Sequence, residues 1–152
     1  MSDWIETIKP FLKLSKEQIE ALTAWAEARG EGKEGMQAVI CVIRNRAKKG
    51  GWFVSKDIAA LSTPIHGVAL KHFQFSSFLP ADPNYQKLLR FVENWQPDIY
   101  LREALEIAND ADAEDITHGA TYYHTKAISP AWAKTMIRTA EIGSHIFYRE
   151  PE

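Results

Sequence analysis

Ala24-Trp25-Ala26-Glu27-Ala28-Arg29-Gly30-Glu31-Gly32-Lys33-Glu34-Gly35-Met36-Gln37-Ala38-Val39 joins two helical patterns through a glycine-punctuated turn. Upstream, Ser15-Lys16-Glu17-Gln18 has the form of a capping box, with Ser15 as N-cap and Gln18 reaching back from the third helical position. The helix it opens carries Ile19, Leu22 and Ala26 on one stripe and is predicted to end near Gly30. Glu27 then falls in the last turn, beside unpaired backbone carbonyls, where the helix dipole disfavours a negative charge. Its small apolar neighbours act in the same direction, keeping a proton on the carboxyl for general acid chemistry. If the helix runs on, Glu27 and Glu31 share a face, being four residues apart. The opposing reading is that both are ordinary glutamates on a solvated helix face.

Downstream, a second helix is expected over 34–48, burying Met36, Val39, Ile40, Ile43 and Ala47 and stopped by Gly50-Gly51. Arg44 and Arg46 near its end suit the helix dipole, and one of them is placed to pair with Glu31 or Glu34 across the turn. Ser2 to Leu14 reads as a lead-in helix interrupted by Pro10, and Ser55 caps a short helix at 56–61. Phe73-Gln74-Phe75-Ser76-Ser77-Phe78 alternates aromatic and polar residues. It is either a strand or extended loop stacking aromatic faces on a ligand, or a loop covering the core. Asp82-Pro83 starts a further helix, and Pro97 opens one through about Asp112. The acidic run Asp110, Asp112, Glu114 and Asp115 lacks calcium-loop spacing and reads as a solvated helix end. Gly119–Thr125 and Ser144–Tyr148 have strand composition, separated by a Trp132-bearing excursion and a short helical stretch from Met136 to Thr139. The fold class is therefore mainly α (α+β), a helical body with a small antiparallel β-hairpin, read as one domain over 1–152 with its core at 15–149.

Composition narrows the function classes. Apolar residues make up 45% of the 152 positions and the formal net charge is −2, so the basic excess of a nucleic-acid binder is missing. Nothing approaches a membrane span, and the N-terminus lacks the basic and apolar regions of a signal peptide, which predicts synthesis in the cytoplasm without a membrane anchor. Cys41 lies in Val39-Ile40-Cys41-Val42-Ile43 and reads as a small core residue.

The histidines form no tight ligand pair. His118 and His124 would share a face of a regular strand, which leaves a zinc amidase or peptidase as a lesser alternative. No GxSxG elbow is present, and the lone cysteine is enclosed by apolar neighbours. What remains is acid/base chemistry by a carboxyl group facing aromatic side chains, the layout used to cleave glycosidic bonds.

Glu27-Ala28-Arg29-Gly30-Glu31, Gly35-Met36-Gln37-Ala38-Val39, Val42-Ile43-Arg44-Asn45-Arg46, Gln74-Phe75-Ser76, Gly119-Ala120-Thr121-Tyr122-Tyr123-His124 and Ile142-Gly143-Ser144-His145-Ile146-Phe147-Tyr148 occur in this order over about residues 20–149. Together they resemble the cell-wall hydrolase family of the spore cortex-lytic enzyme SleB, which includes phage lysins. The resemblance implies a lysozyme-like helical fold and cleavage of peptidoglycan glycan strands, by a lytic transglycosylase or muramidase reaction without a cofactor or metal. It implies Glu27 as the catalytic acid, with Glu31 a structural partner to Arg29 or Arg46. Glu31, Ser76, Tyr122, Tyr123 and His124 are candidates for supporting roles, and Gln74, Phe75, Phe78 and Trp132 for substrate binding. A monomeric endolysin of a phage or prophage is expected, reaching the wall through a holin or as part of a virion. The alternative from another class is a glycan-binding or phage structural module without turnover.

Overall fold

The computed structural model describes residues 2–152, with side chains from Asp3 onward. Helix α1 (Ser2–Ile8) runs into a single 3-10 turn at Lys9–Phe11, where Pro10 sits in its first positions, so the lead-in helix is broken at the expected place. Helix α2 (Lys16–Ala28) opens on the capping box: Ser15 Oγ accepts the Gln18 N–H at 3.0 Å, and Gln18 Oε1 accepts the Ser15 N–H at 2.8 Å. Every side chain from Ile19 to Trp25 is buried, so α2 is the central helix of the core rather than a one-sided surface helix.

At Ala28 the backbone leaves helical geometry (φ −145°, ψ 14°) and makes one 3-10 turn, Arg29–Glu31. Gly32, at φ +77°, then redirects the chain into α3 (Gly32–Lys49). The break puts Glu27 and Glu31 out of helical phase, correcting the shared face that an unbroken helix would give them. Helices α4 (Lys56–Leu61), α5 (Pro64–Ala69), α6 (Pro83–Glu93) and α7 (Ile99–Ala108) follow. Short α5 is secured by Thr63 as N-cap, with Pro64 at the first turn. Asp82 caps α6 as expected, whereas α7 starts after Asp98, not at Pro97, and stops at Ala108. Helix α2 packs against α3, α5, α6 and α7 around Ile19, Leu22, Met36, Ile40, Leu70 and Leu88.

The acidic run does more than solvate a helix end. Asp115 accepts from the Thr117 N–H and hydroxyl, the Gly119 N–H and Asn45 Nδ2, all at 2.6–2.9 Å. It thereby ties the loop before the sheet to α3.

The sheet has three antiparallel strands in the order β1–β3–β2: β1 (Tyr122–Thr125), β2 (Ile137–Ile142) and β3 (His145–Arg149). The helix expected over Met136–Thr139 is therefore strand instead. Ile137 to Ile142 pairs with β3 through a turn at Gly143, which adopts φ +57°. A bulge between Arg138 and Ala140 masked the alternation that would have revealed it. Phe147 and Ala120 pack on Ala38 and Val42, with Tyr123, Ala140 and Ile142 around them, so one face of the sheet rests on α3. Among the described residues no helix is long and apolar enough to cross a membrane.

Candidate active site

Strand alternation decides which residues of β1 can meet Glu27. Tyr123 pairs with Phe147 across the β1–β3 ladder, and both point toward α3. The Tyr123 hydroxyl donates to Oε1 of Glu27 at 3.1 Å. Its ring lies stacked on Phe147 and edge-on to His145, with centroids 5.4 Å away in each case. Burial pushes the phenol well above its usual range, so it stays a donor at ordinary pH.

Glu27 is half-buried at the end of α2. Burial raises its pKa, and the Asp82 charge at the start of α6 adds to this. The Tyr123 hydrogen bond and the Arg46 charge oppose it without cancelling it. The result is a carboxyl that holds its proton more readily than a free glutamate, yet has an oriented donor for its ionised form. Both halves of an acid-then-base cycle are provided for.

Arg46 stands behind this pair. Its Nε donates to the Thr121 carbonyl at 2.7 Å, and its guanidinium lies 5.6 Å from the Phe53 ring centroid and 5.5 Å from that of Phe75. Nη1 is buried and makes no hydrogen bond with the described residues. Its position near the helix end, or a pairing with Glu31 or Glu34, is what the sequence suggests for Arg46, and the tertiary approach of Thr121 gives its actual place. Arg44 instead clasps Glu20, with Nε and Nη2 at 2.8 and 3.1 Å from its two oxygens. Neither arginine pairs with Glu31 or Glu34.

Glu31 is engaged by the β2–β3 turn. Its Oε1 accepts the Ser144 N–H and hydroxyl, both at 2.7 Å, and lies 3.4 Å from His145 Nδ1. The Ser144 hydrogen bonds, with His145 beside them, hold its pKa below the ordinary value. Its structural partners are thus the β2–β3 turn and not Arg29 or Arg46. Arg29 lies over the Trp25 ring and reaches Asn84.

The remaining candidates divide. Ser76 is exposed and Gln74 half-buried on the loop before the 3-10 turn Ser76–Phe78. Phe78 is fully buried, edge-on to Phe11, and Phe75 is only 3% exposed. These two are core residues that shape the loop, which corrects their assignment as substrate-stacking faces. Tyr122 and His124 lie on the face of β1 opposite Tyr123, so neither orients Glu27. Tyr122 reaches Glu150 at 3.5 Å, and His124 is held between the Thr125 carbonyl and the Tyr148 hydroxyl at 2.7 and 2.8 Å. Trp132 packs against Tyr122, His124 and Tyr148 on that outer face. His118 sits in a turn at φ +53°, not in a strand, and no group of three or more metal-ligating side chains converges among the described residues.

A cavity of about 470 Å³ lies elsewhere, lined by Glu20, Cys41, Arg44 and Asp115. Glu20 also has a raised pKa from burial, but it is 2% exposed and both of its oxygens are taken by Arg44. Burial likewise pushes the Cys41 thiol up to about 12, far from nucleophilic. Glu27 therefore combines a raised pKa, partial exposure and an oriented hydroxyl donor, which Glu20 and Glu31 do not.

A sequence profile of the family described as Cell Wall Hydrolase matches residues 30–148. Among solved structures, the fold is similar to the catalytic domain of the germination-specific lytic transglycosylase SleB from Bacillus anthracis. That match has a TM-score of 0.62 at 24% identity and covers 88% of this chain and 93% of the other. The catalytic domain of the Bacillus cereus SleB protein is similar too, with a TM-score of 0.55 at 23% identity over 88% and 89% of the two chains. Both likenesses agree with the mainly helical fold and its small antiparallel sheet. No curated protein sequence matches the chain.

Proposed function

The chain belongs to the cell wall hydrolase family, and on that premise we propose that it cleaves peptidoglycan glycan strands between N-acetylmuramic acid and N-acetylglucosamine as one catalytic domain, with Glu27 as general acid and base. The observation that carries this reading is the contact from the Tyr123 hydroxyl to a half-buried Glu27 whose pKa is raised by burial.

A lytic transglycosylase route fits the residues best because it needs a single carboxyl. The protonated Glu27 donates its proton to the glycosidic oxygen as the bond to C1 of the muramic acid breaks. The ionised Glu27, steadied by Tyr123, then accepts the proton of the C6 hydroxyl as that oxygen closes on C1. The product carries a 1,6-anhydro ring, and Glu27 ends protonated, ready for the next turnover. A second, nucleophilic carboxylate would favour muramidase hydrolysis. The leading candidate for it, Glu31, is committed to Ser144, and Asp82 accepts the Asn84 N–H at 2.8 Å as the cap of α6. Ser76 and Gln74 are left as the polar groups of the neighbouring loop able to meet the sugar's N-acetyl group.

The test is release of soluble fragments from dye-labelled sacculi. Glu27→Gln should lose roughly 10²–10⁴-fold in rate, the span general acid catalysis contributes, while still sedimenting with sacculi. A wild-type protein that binds sacculi without releasing fragments would instead support a glycan-binding module. Biologically, the reading extends to a phage or prophage endolysin. Its expression inside cells should cause lysis only when a holin is co-expressed.

A further inference from the structure

We propose that Glu31 is a positioning residue for Glu27, acting through the β2–β3 turn, His145 and Tyr123. This rests on Glu27 being the acid described above. The chain of contacts is continuous. Glu31 Oε1 takes the Ser144 N–H and hydroxyl at 2.7 Å each and lies 3.4 Å from His145 Nδ1. The His145 ring meets the Tyr123 ring edge-on at 5.4 Å, and the Tyr123 hydroxyl ends on Glu27.

Two glycines show how closely Glu31 is built into this turn. A Cβ at Gly35, one turn into α3, would collide with the Glu31 Cβ. A Cβ at Gly143 would come within 2.5 Å of Glu31 Oε1, and Gly143 also holds φ +57°. The 3-10 turn Arg29–Glu31 that follows Glu27 is therefore also the segment that carries Glu31 to the sheet. The sheet returns to Glu27 through Tyr123. Without the Glu31 clamp, the β2–β3 turn loses its anchor to the α2–α3 junction, and the edge support of Tyr123 moves with it.

The consequence is measurable at Glu27 whether or not substrate is present. The charged and titratable groups facing Glu27 are Arg46 from α3, Asp82 at the start of α6 and Tyr123 from β1. Altering Glu31 changes none of them chemically, so a shift at Glu27 reports displacement of Tyr123. The experiment is a carbon-13 NMR titration of the Glu27 carboxyl in wild type, Glu31→Ala, Tyr123→Phe and the double variant. Losing the Tyr123 donor destabilises the ionised carboxyl, so Tyr123→Phe should move the midpoint up. Glu31→Ala should move it up by part of that amount, and the double variant should match Tyr123→Phe alone. A wild-type midpoint in folded Glu31→Ala, or additive shifts in the double variant, overturns the proposal.

On sacculi, Glu31→Ala should lower kcat roughly tenfold with KM little changed, a modest misplacement of the acid. Glu31→Gln, which keeps an oxygen for the Ser144 N–H, should recover most of it. Equal loss in both variants counts against the proposal. If Glu31→Ala does not fold, His145→Ala takes its place in the titration with the same expectations. Should no variant, wild type included, cleave sacculi, the functional reading fails while the titration still decides the coupling.

Discussion

The Tyr123 hydroxyl donates to Glu27 Oε1 at 3.1 Å across 96 positions of sequence, joining the end of the central helix to the first strand of the sheet. The hydrogen bond favours the ionised carboxylate, whereas burial favours the acid, and burial prevails. Tyr123→Phe should therefore leave Glu27 protonated to higher pH. In a pH–rate profile the limb governed by Glu27 should move up, and the maximal rate should fall roughly tenfold, the worth of one hydrogen bond to a charged group.

Arg46 lowers the Glu27 pKa through its charge, although burial also depresses the arginine's own pKa. Arg46→Met keeps much of the volume between Phe53 and Phe75 but removes the charge and the bond to Thr121. The Glu27 limb should again move up, in the direction Tyr123→Phe gives. Urea unfolding should also show a loss of about 1–3 kcal/mol from the unpaired Thr121 carbonyl.

Glu27 should weaken the fold that holds it. A carboxyl whose folded pKa is raised binds more protons folded than unfolded, so its contribution to stability falls as pH rises through the folded pKa. Glu27→Gln removes that cost. Thermal melts should show the variant more stable than wild type by about 1 kcal/mol at pH 7, with the difference shrinking as pH falls toward the unfolded value of about 4.5.

Asp115 has the opposite sign. Burial would raise its pKa, but hydrogen bonds from Thr117, Asn45 and Gly119 outweigh it and hold the folded value below 3.8. Its contribution is complete above the unfolded pKa and is lost as pH falls through the folded one. Asp115→Ala should cost about 2–4 kcal/mol at pH 7, since it leaves several donors of the pre-strand loop unpaired. That deficit should narrow in acid, as urea unfolding at several pH values would show.

Local rules were enough to read where α2 begins and breaks. Ser15 and Gln18 fix where α2 begins, and Gly30 and Gly32 mark the break that leaves Glu27 in its last turn. Tyr123, His124 and Tyr122 are adjacent in sequence, and nothing in their order says which one faces Glu27. That depends on the pairing of β1 with β3, a long-range register set by Phe147 packing on α3. The bulge at Thr139 hid β2 for a similar reason, and with it the partners of Glu31. Phe73, Phe75 and Phe78 are interleaved with polar residues like a ligand-stacking strand, but Phe75 and Phe78 serve the core, because a 3-10 turn and not a strand carries Phe78 inward. The place of Arg46 depends on Thr121 and two aromatic rings brought in from distant segments, which its position near the end of α3 does not encode.

The central claim is that one carboxyl, Glu27, breaks the glycan strand and closes the anhydro ring. Mass spectrometry of the soluble products from purified sacculi tests it most directly, with wild type and Glu27→Gln run side by side. The expected result is disaccharide-peptides one water lighter than the reducing-end species from wild type, and none from Glu27→Gln. Intact glycan with freed stem peptides, or the same products at the same rate from Glu27→Gln, would contradict it.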